Sequence, residues 1–302
     1  MFAIPVSAEI FGGSEAAKWI LVLVAGGCMT ASAYFGIDSL TVISYIAVPL
    51  VAILGTVAMV MAVSQGNGTI VDQFAVSSGS VTVIGGAGMV IGSFVSGGTA
   101  TPNFARFAKD AKSGTIATVV AFFIGNSLMF FFGAIAYIFV GGNDIFEVML
   151  RLNLFYMAIL VLGLNIWTTN DNALYSAGLG LANIFRQKKK PMVLISGIIG
   201  TILSVWLYYN FCNWLNVLNC TLPPVGIILV LSYFMNKKEY EDEKAEIKTV
   251  NWFAVIGVIA GAVVANLVSW GIASINGMAV AAVCYVAGQV LCKNREEAAE
   301  NA

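Results

Sequence analysis

The sequence predicts an all-α polytopic membrane protein, and three observations carry the prediction. Only 10% of the 302 residues are charged and 59% are hydrophobic, whereas a soluble globular domain carries about 25% charged residues. Apolar windows of roughly 18 to 25 residues recur along nearly the whole chain, each long enough to cross a hydrocarbon core of about 30 Å as a helix. The alternating pattern of a membrane β-barrel is absent from these windows, and the mean hydropathy is +0.88.

Nine spans follow from those windows, at residues 17–36, 39–63, 80–98, 114–140, 154–184, 191–210, 213–235, 251–270 and 273–292. The first two are uninterrupted apolar runs such as WILVLVAGG and YIAVPLVAIL. The third is rich in glycine, the fourth contains AFFIGNSLMFFFGA, and the fifth holds an unusual polar run. The sixth begins beyond a basic cluster, the seventh contains PPVG, and the last two are small-residue apolar windows. Before them, MFAIPVSAEIF is apolar but too short to cross, and reads as the end of a helix.

Charge placement supports the span count, because loops on the cytoplasmic side collect Lys and Arg. Arg106, Lys109 and Lys112 share one loop. Arg186, Lys188, Lys189 and Lys190 lie two spans later, and Lys237, Lys238, Lys244 and Lys248 two spans after that. Lys293 and Arg295 close the tail on the same side, so that only Lys18 and Arg151 of the 15 basic residues fall opposite. This places the C-terminus in the cytoplasm. Counted backwards, a cytoplasmic N-terminus requires two complete helices before the stub, so the chain is expected to be truncated. The run KKEYEDEKAEIK at 237–248 reads as a solvated loop.

The polar run lies in LNIWTTNDNALYSAGLG, residues 164–180. At 100° per residue Asn165, Thr169, Asn172 and Ser176 share one helical face, with Thr168 just beside it. In hydrocarbon such a stripe must face protein or water. It therefore lines a cavity or a hydrogen-bonded helix interface. Asp171 is the acid placed within a span, with a structural carboxyl and a coupling role both open. The second unusual stretch is SVTVIGGAGMVIGSFVSGGTATPNFARF, residues 80–107. Its glycines each weaken a helix by about 1 kcal/mol, and Pro102 bars regular continuation. A broken helix is expected, with Ser93, Phe94 and Ser96 between the glycines. Close helix packing through Gly88 and Gly92 is the other reading, and that spacing recurs at Gly257 and Gly261.

Two irregular polar segments separated by one ordinary span form the pattern of a secondary transporter. Ser, Thr and Asn donate and accept hydrogen bonds without charge, and Phe94 and Trp167 offer flat apolar faces. That inventory suits a small, neutral, planar, polar molecule. Adjacent hydroxyls also suit a hard monovalent cation. Histidine is absent, and no P-loop, HExxH or GxSxG motif is present, which argues against an enzyme. The five cysteines show no CxxC spacing and read as small buried hydrophobes. Asn67, Gly68 and Thr69 match a glycosylation acceptor triplet, a pattern frequent by chance.

The stretches MFAIPV, GSFVSGGT at 92–99, AFFIGNSLMFFFGA at 121–134, LGLNIWTTNDNALYSAGLG at 162–180, GIIGT at 197–201 and PPVG at 223–226 together resemble the cytosine permeases of the nucleobase:cation symporter-1 family. The resemblance runs in family order across the chain. It implies the inverted five-helix-repeat fold of the amino acid/polyamine/organocation type, with residues 1–302 as a single transporter domain lacking helices 1, 2 and most of 3. The nine spans then become family helices 4 to 12, the glycine-rich segment helix 6 and the polar stripe helix 8.

By position in the matched motifs, Ser93 and Ser96 look like groups that hydrogen-bond the pyrimidine, and Phe94 like an aromatic neighbour of its ring. Asn165 looks like a ligand of both base and sodium, and Thr168 and Thr169 like hydroxyl ligands of sodium. The family gives no defined role here for Asn170, Asp171 or Asn172. The implied activity is sodium-coupled import of cytosine by alternating access in the bacterial inner membrane, with no cofactor beyond the coupling ion, no nucleic acid partner, and a monomeric state. Proton coupling with a related nucleobase, and a membrane channel or scaffold without transport, are the alternatives.

Overall fold

In the computed structural model, residues 1–2, 67, 73–81, 142–144, 238–239, 241, 243–249 and 301–302 lie outside the description, which covers the remainder. Asn67, the acceptor of the glycosylation triplet, falls outside it, as does most of the 237–248 loop. The regular elements among the described residues are all helices, joined by turns and short loops, with no strand. In order they form α1 (Ala3–Phe11), α2 (Glu15–Phe35), α3 (Ile37–Gln65), α4 (Val83–Ala105), α5 (Ala111–Val120), a π-helical turn (Ala121–Gly125), α6 (Asn126–Val140) and α7 (Ile145–Arg151). Then follow α8 (Phe155–Phe185), α9 (Lys189–Tyr209), α10 (Phe211–Met235), α11 (Trp252–Leu267) and α12 (Ala273–Glu300).

Helix covers most of each of the nine expected spans among the described residues, with residues 80 and 81 of the third span outside them. Among the described residues seven helical stretches are long and apolar enough to cross a membrane: α2, α3, α4, the α5–α6 stretch, α9, α10 and α12. Helix α8 has 31 residues but carries the polar run. Helix α11 is shorter than its expected span, since its 16 residues reach only about 24 Å at 1.5 Å per residue. Its end is set by the turn into α12. Gly271 takes φ +74° there, a conformation that favours glycine, and Asn276 Nδ2 donates to the Trp270 carbonyl at 2.7 Å.

The chain divides into two compact units, residues 1–78 with 105–209 and residues 79–104 with 210–302. In the first, α2 and α9 cross antiparallel through a reciprocal arrangement. A Cβ on Gly26 would collide with Thr201, and one on Gly197 would collide with Thr30. Each threonine hydroxyl is held in turn by the glycine one turn earlier on its own helix, Thr30 to the Gly26 carbonyl at 2.6 Å and Thr201 to the Gly197 carbonyl at 2.7 Å. The hydroxyls are therefore satisfied while the hydroxyl oxygen and methyl of each threonine together fill the facing glycine notch, the small-residue packing that replaces the hydrophobic effect within lipid. Elsewhere in this unit Gly178 of α8 admits Val193 of α9, and Gly55 of α3 admits the buried Phe132 of α6. Val6 of α1 joins Ala58, Met149, Ala158 and Val161 in one apolar cluster. Large side chains such as Ile20, Tyr45 and Phe123 point outward, as lipid-facing residues do.

In the second unit α11 and α12 pack backbone to backbone. Gly261 and Gly277 face each other's carbonyls, with the Pro224 ring of α10 wedged beside them. The Gly257/Gly261 spacing thus serves helix packing, as expected from sequence. Ile228, Ala281 and the Tyr285 ring form the adjoining apolar cluster.

The expected break in the glycine-rich segment is not observed. Helix α4 runs continuously from Val83 to Ala105 with Pro102 inside its last turn. Two physical reasons account for it. Pro102 forgoes its own bond to the Gly98 carbonyl, but only three residues of α4 follow it, so little helix lies beyond the fault. The glycine cost is also partly returned by packing: Gly88 and Gly92 are the buried residues of α4, and a Cβ on Gly92 would lie 2.9 Å from the Asn219 Cβ of α10. Of the two readings open at sequence level, close packing accounts for these two positions. The cysteines also depart in part from expectation. Cys220 is buried, but Cys28 is exposed on α2, and the described thiols are all free.

Candidate functional site

The polar run of α8 is distributed over two sides of one unbroken helix. One side faces α2. Asp171 is buried, 1% exposed, and its Oδ2 accepts from Ser32 Oγ at 3.2 Å while Oδ1 has no partner. Trp167 Nε1 donates to the same Ser32 Oγ at 3.1 Å, and Asn170 Nδ2 approaches Met29 Sδ at 3.5 Å. Trp167, expected to offer a flat apolar face, has its indole N–H committed to α2, where a buried donor needs an acceptor.

The other side carries the predicted stripe. Asn165 and Thr169 are exposed within their unit, and Thr168, Asn172 and Ser176 are half-buried. The Thr169 hydroxyl donates to the Asn165 carbonyl at 2.8 Å. The Thr168 hydroxyl lies 3.0 Å from the Leu164 carbonyl and 3.1 Å from that of Asn165. Each hydroxyl proton is thereby spent on the backbone, which leaves the oxygen lone pairs as acceptors directed away from the helix axis. Two adjacent acceptor oxygens without a formal charge are the kind of ligand a hard cation takes.

On α4, in the other unit, Ser93 and Ser96 are exposed on the helix and Phe94 is half-buried between them. Ser93 Oγ donates to the Val90 carbonyl at 2.9 Å. The structure thus brings Asn165, Thr168 and Thr169 together within about one and a half turns of α8, and Ser93, Phe94 and Ser96 together on little more than one turn of α4. Sequence reasoning missed Ser32 and Met29 of α2 as partners of the polar run. A lone serine in an apolar helix gives no signal, because it usually bonds its own backbone, as Ser32 also does toward Met29 at 2.9 Å.

Among the described residues, seven helical stretches long and apolar enough to cross a membrane define a polytopic membrane protein. Residues 3–289 match the family described as permease for cytosine/purines, uracil, thiamine, allantoin. The chain belongs to that family and is a permease-type transporter, not an enzyme. It is also similar to the cytosine permeases of Escherichia coli strains K12, O6:H1 and O157:H7. Each is 42% identical over 287 residues, spanning 95% of this chain and 67% of the relative.

Proposed function

We propose that the protein is a secondary active transporter that imports cytosine by sodium symport with alternating access, working as a monomer in the bacterial inner membrane with its C-terminus cytoplasmic. The observation that carries the reading is the 42% identity to proteins named cytosine permease, extending over 95% of the chain. Ser93 and Ser96 are assigned to hydrogen bonds with the pyrimidine edge, Phe94 to its ring, and Asn165 to both base and sodium. Thr168 and Thr169 complete the sodium ligands contributed by this chain. Their protons engaged on the backbone and their free lone pairs support that assignment. No bond is made or broken, and an inward-negative potential contributes about 2.3 kcal/mol per charge per 100 mV toward accumulation.

For the fold, the proposal is the inverted five-helix repeat. Support comes from α2 and α9, which would occupy equivalent places in the two repeats. They cross antiparallel through the same glycine and threonine four residues apart, Gly26 with Thr30 and Gly197 with Thr201, as a two-fold relation between them requires.

The test is uptake into vesicles containing the purified chain. Labelled cytosine should accumulate under an inward sodium gradient and saturate. Thr168→Ala should raise the sodium concentration needed for half-maximal uptake while leaving the preference among bases unchanged. Uptake driven by a pH gradient and indifferent to sodium overturns the symport assignment in favour of proton coupling. Current without saturable uptake would make the protein a channel, and neither flux nor binding would leave a scaffold.

A further inference from the structure

At one end of the first unit three cations converge on two tyrosine rings. Lys189 Nζ stands 4.4 Å from the centroid of the Tyr175 ring, and Lys190 Nζ 5.0 Å from that of Tyr34. Arg106, in the turn after α4, donates through Nη2 to the Tyr175 hydroxyl at 3.0 Å. Tyr175 is buried, so it is a fixed wall with one cation over its face and another at its hydroxyl. The charges of Lys190 and Arg106 both bear on the Lys189 ammonium. Among the described residues ion pairs join Lys18 to Glu15 and Arg151 to Glu147, and neither involves these three.

The sequence places these charges where the backbone disfavours them. Lys189 and Lys190 open α9, whose first turn has no acid, although a helix N-terminus carries roughly half a positive charge and prefers anions. The C-termini of α2 and α8 nearby each offer roughly half a negative charge. The three helix ends together supply only about half a negative charge against three full positive ones. Acids in neighbouring segments do not supply the balance: Asp110 is spent capping α5 through the Ser113 amide at 2.7 Å, and Asp38 in the first turn of α3 makes no ion pair. A general excess of Lys and Arg on one membrane face explains their sign, but not their convergence on Tyr34 and Tyr175.

We propose that Arg106, Lys189 and Lys190, gathered around Tyr34 and Tyr175, bind the phosphate of an anionic phospholipid headgroup. A guanidinium fork and two ammoniums match the several acceptor oxygens of a phosphodiester, and basic pockets between membrane helices take such headgroups. Exposed apolar neighbours in the chain favour a lipid over free phosphate: Phe35 follows Tyr34, Phe107 follows Arg106, and Phe185 ends α8 just before the lysines.

The test is thermal unfolding of the full chain in neutral detergent during titration with short-chain phosphatidylglycerol, phosphatidylcholine or inorganic phosphate. Phosphatidylglycerol should raise Tm saturably and phosphatidylcholine should not. Removing each cation by Arg106→Gln, Lys189→Gln or Lys190→Gln should weaken the apparent affinity about fivefold, and the triple variant about a hundredfold. Lys188→Gln, in the same loop but not on the rings, should leave it unchanged. An equal loss in Lys188→Gln and Lys190→Gln overturns the site in favour of a diffuse basic face. Stabilisation by phosphate alone that blocks the lipid effect overturns the lipid assignment. If the triple variant fails to fold, Lys190→Gln, whose side chain is exposed, decides on the same readout.

Discussion

Gly261→Ala tests whether backbone contact, rather than side-chain burial, holds α11 to α12. The added Cβ would lie 2.5 Å from the Gly277 carbonyl oxygen, 3.1 Å from Pro224 Cγ and 3.2 Å from Ala281 Cβ. A carbon–oxygen contact requires about 3.3 Å, so the carbonyl must retreat by roughly 0.8 Å. A gap of that size forfeits a quarter to a half of the dispersion energy of the contacts it opens. Overpacking costs about 1–3 kcal/mol, and three contacts at once, one of them backbone, put this site near the upper end. Alanine returns about 1 kcal/mol of helix propensity, leaving a net loss of about 2 kcal/mol. Gly200→Ala in α9 is the comparison, because a Cβ there meets nothing within 4 Å. It should stabilise by about 1 kcal/mol. Thermal unfolding of the purified protein in detergent, followed by tryptophan fluorescence, should move the two variants in opposite directions. A Tm for Gly261→Ala at or above the parent would refute the reasoning.

The α2 and α9 crossing makes a coupled prediction. Gly26→Ala should destabilise through Thr201, and adding Thr201→Ala should restore part of the loss, with a coupling of about 0.5–3 kcal/mol; strict additivity in the same unfolding assay would count against the packing described. Ser32→Ala removes a hydrogen-bond partner of Asp171 and the acceptor of Trp167, so denaturation should show a loss of about 1–3 kcal/mol, whereas an unchanged midpoint would mean the network contributes nothing. Asp110 caps α5, and its bonds to Ser113 hold the carboxyl below its ordinary value of 3.8. Because the folded value is the lower one, the cap is fully present above that ordinary value and fades as pH falls past it and through the folded value. Hydrogen exchange at the Ser113 amide should therefore lose protection on acidification, and Asp110→Asn, which keeps an acceptor oxygen at every pH, should abolish that dependence.

Much of the fold was legible because lipid imposes a simple rule. Every segment that must satisfy its backbone internally and expose apolar side chains declares itself by length and hydropathy, and helices stand at all nine expected spans. The continuity of α4 was not legible. Six glycines and a proline argued for a break, but the outcome turned on where Pro102 fell in the last turn and on Asn219 of α10, more than a hundred residues away, filling the notch at Gly92. The α8 stripe was readable, since helical periodicity alone puts Asn165, Thr169 and Asn172 on one face. Which side of α8 would meet α2 was not. Trp167 and Asp171 found a common partner in Ser32, and nothing local marks that serine as different from any other in an apolar helix. The cluster of three cations around Tyr34 and Tyr175 is likewise a product of tertiary convergence from four separate segments.

The glycines and threonines that interlock α2 with α9 act as paired teeth, each helix carrying one peg and one socket. Neither helix can slide along the other unless both pegs leave their sockets together. Whatever larger movement the protein undertakes, these two helices travel as a single bar, and α8, which packs on α2 through Asp171 and on α9 through Gly178, carries its hydroxyl-bearing face with them.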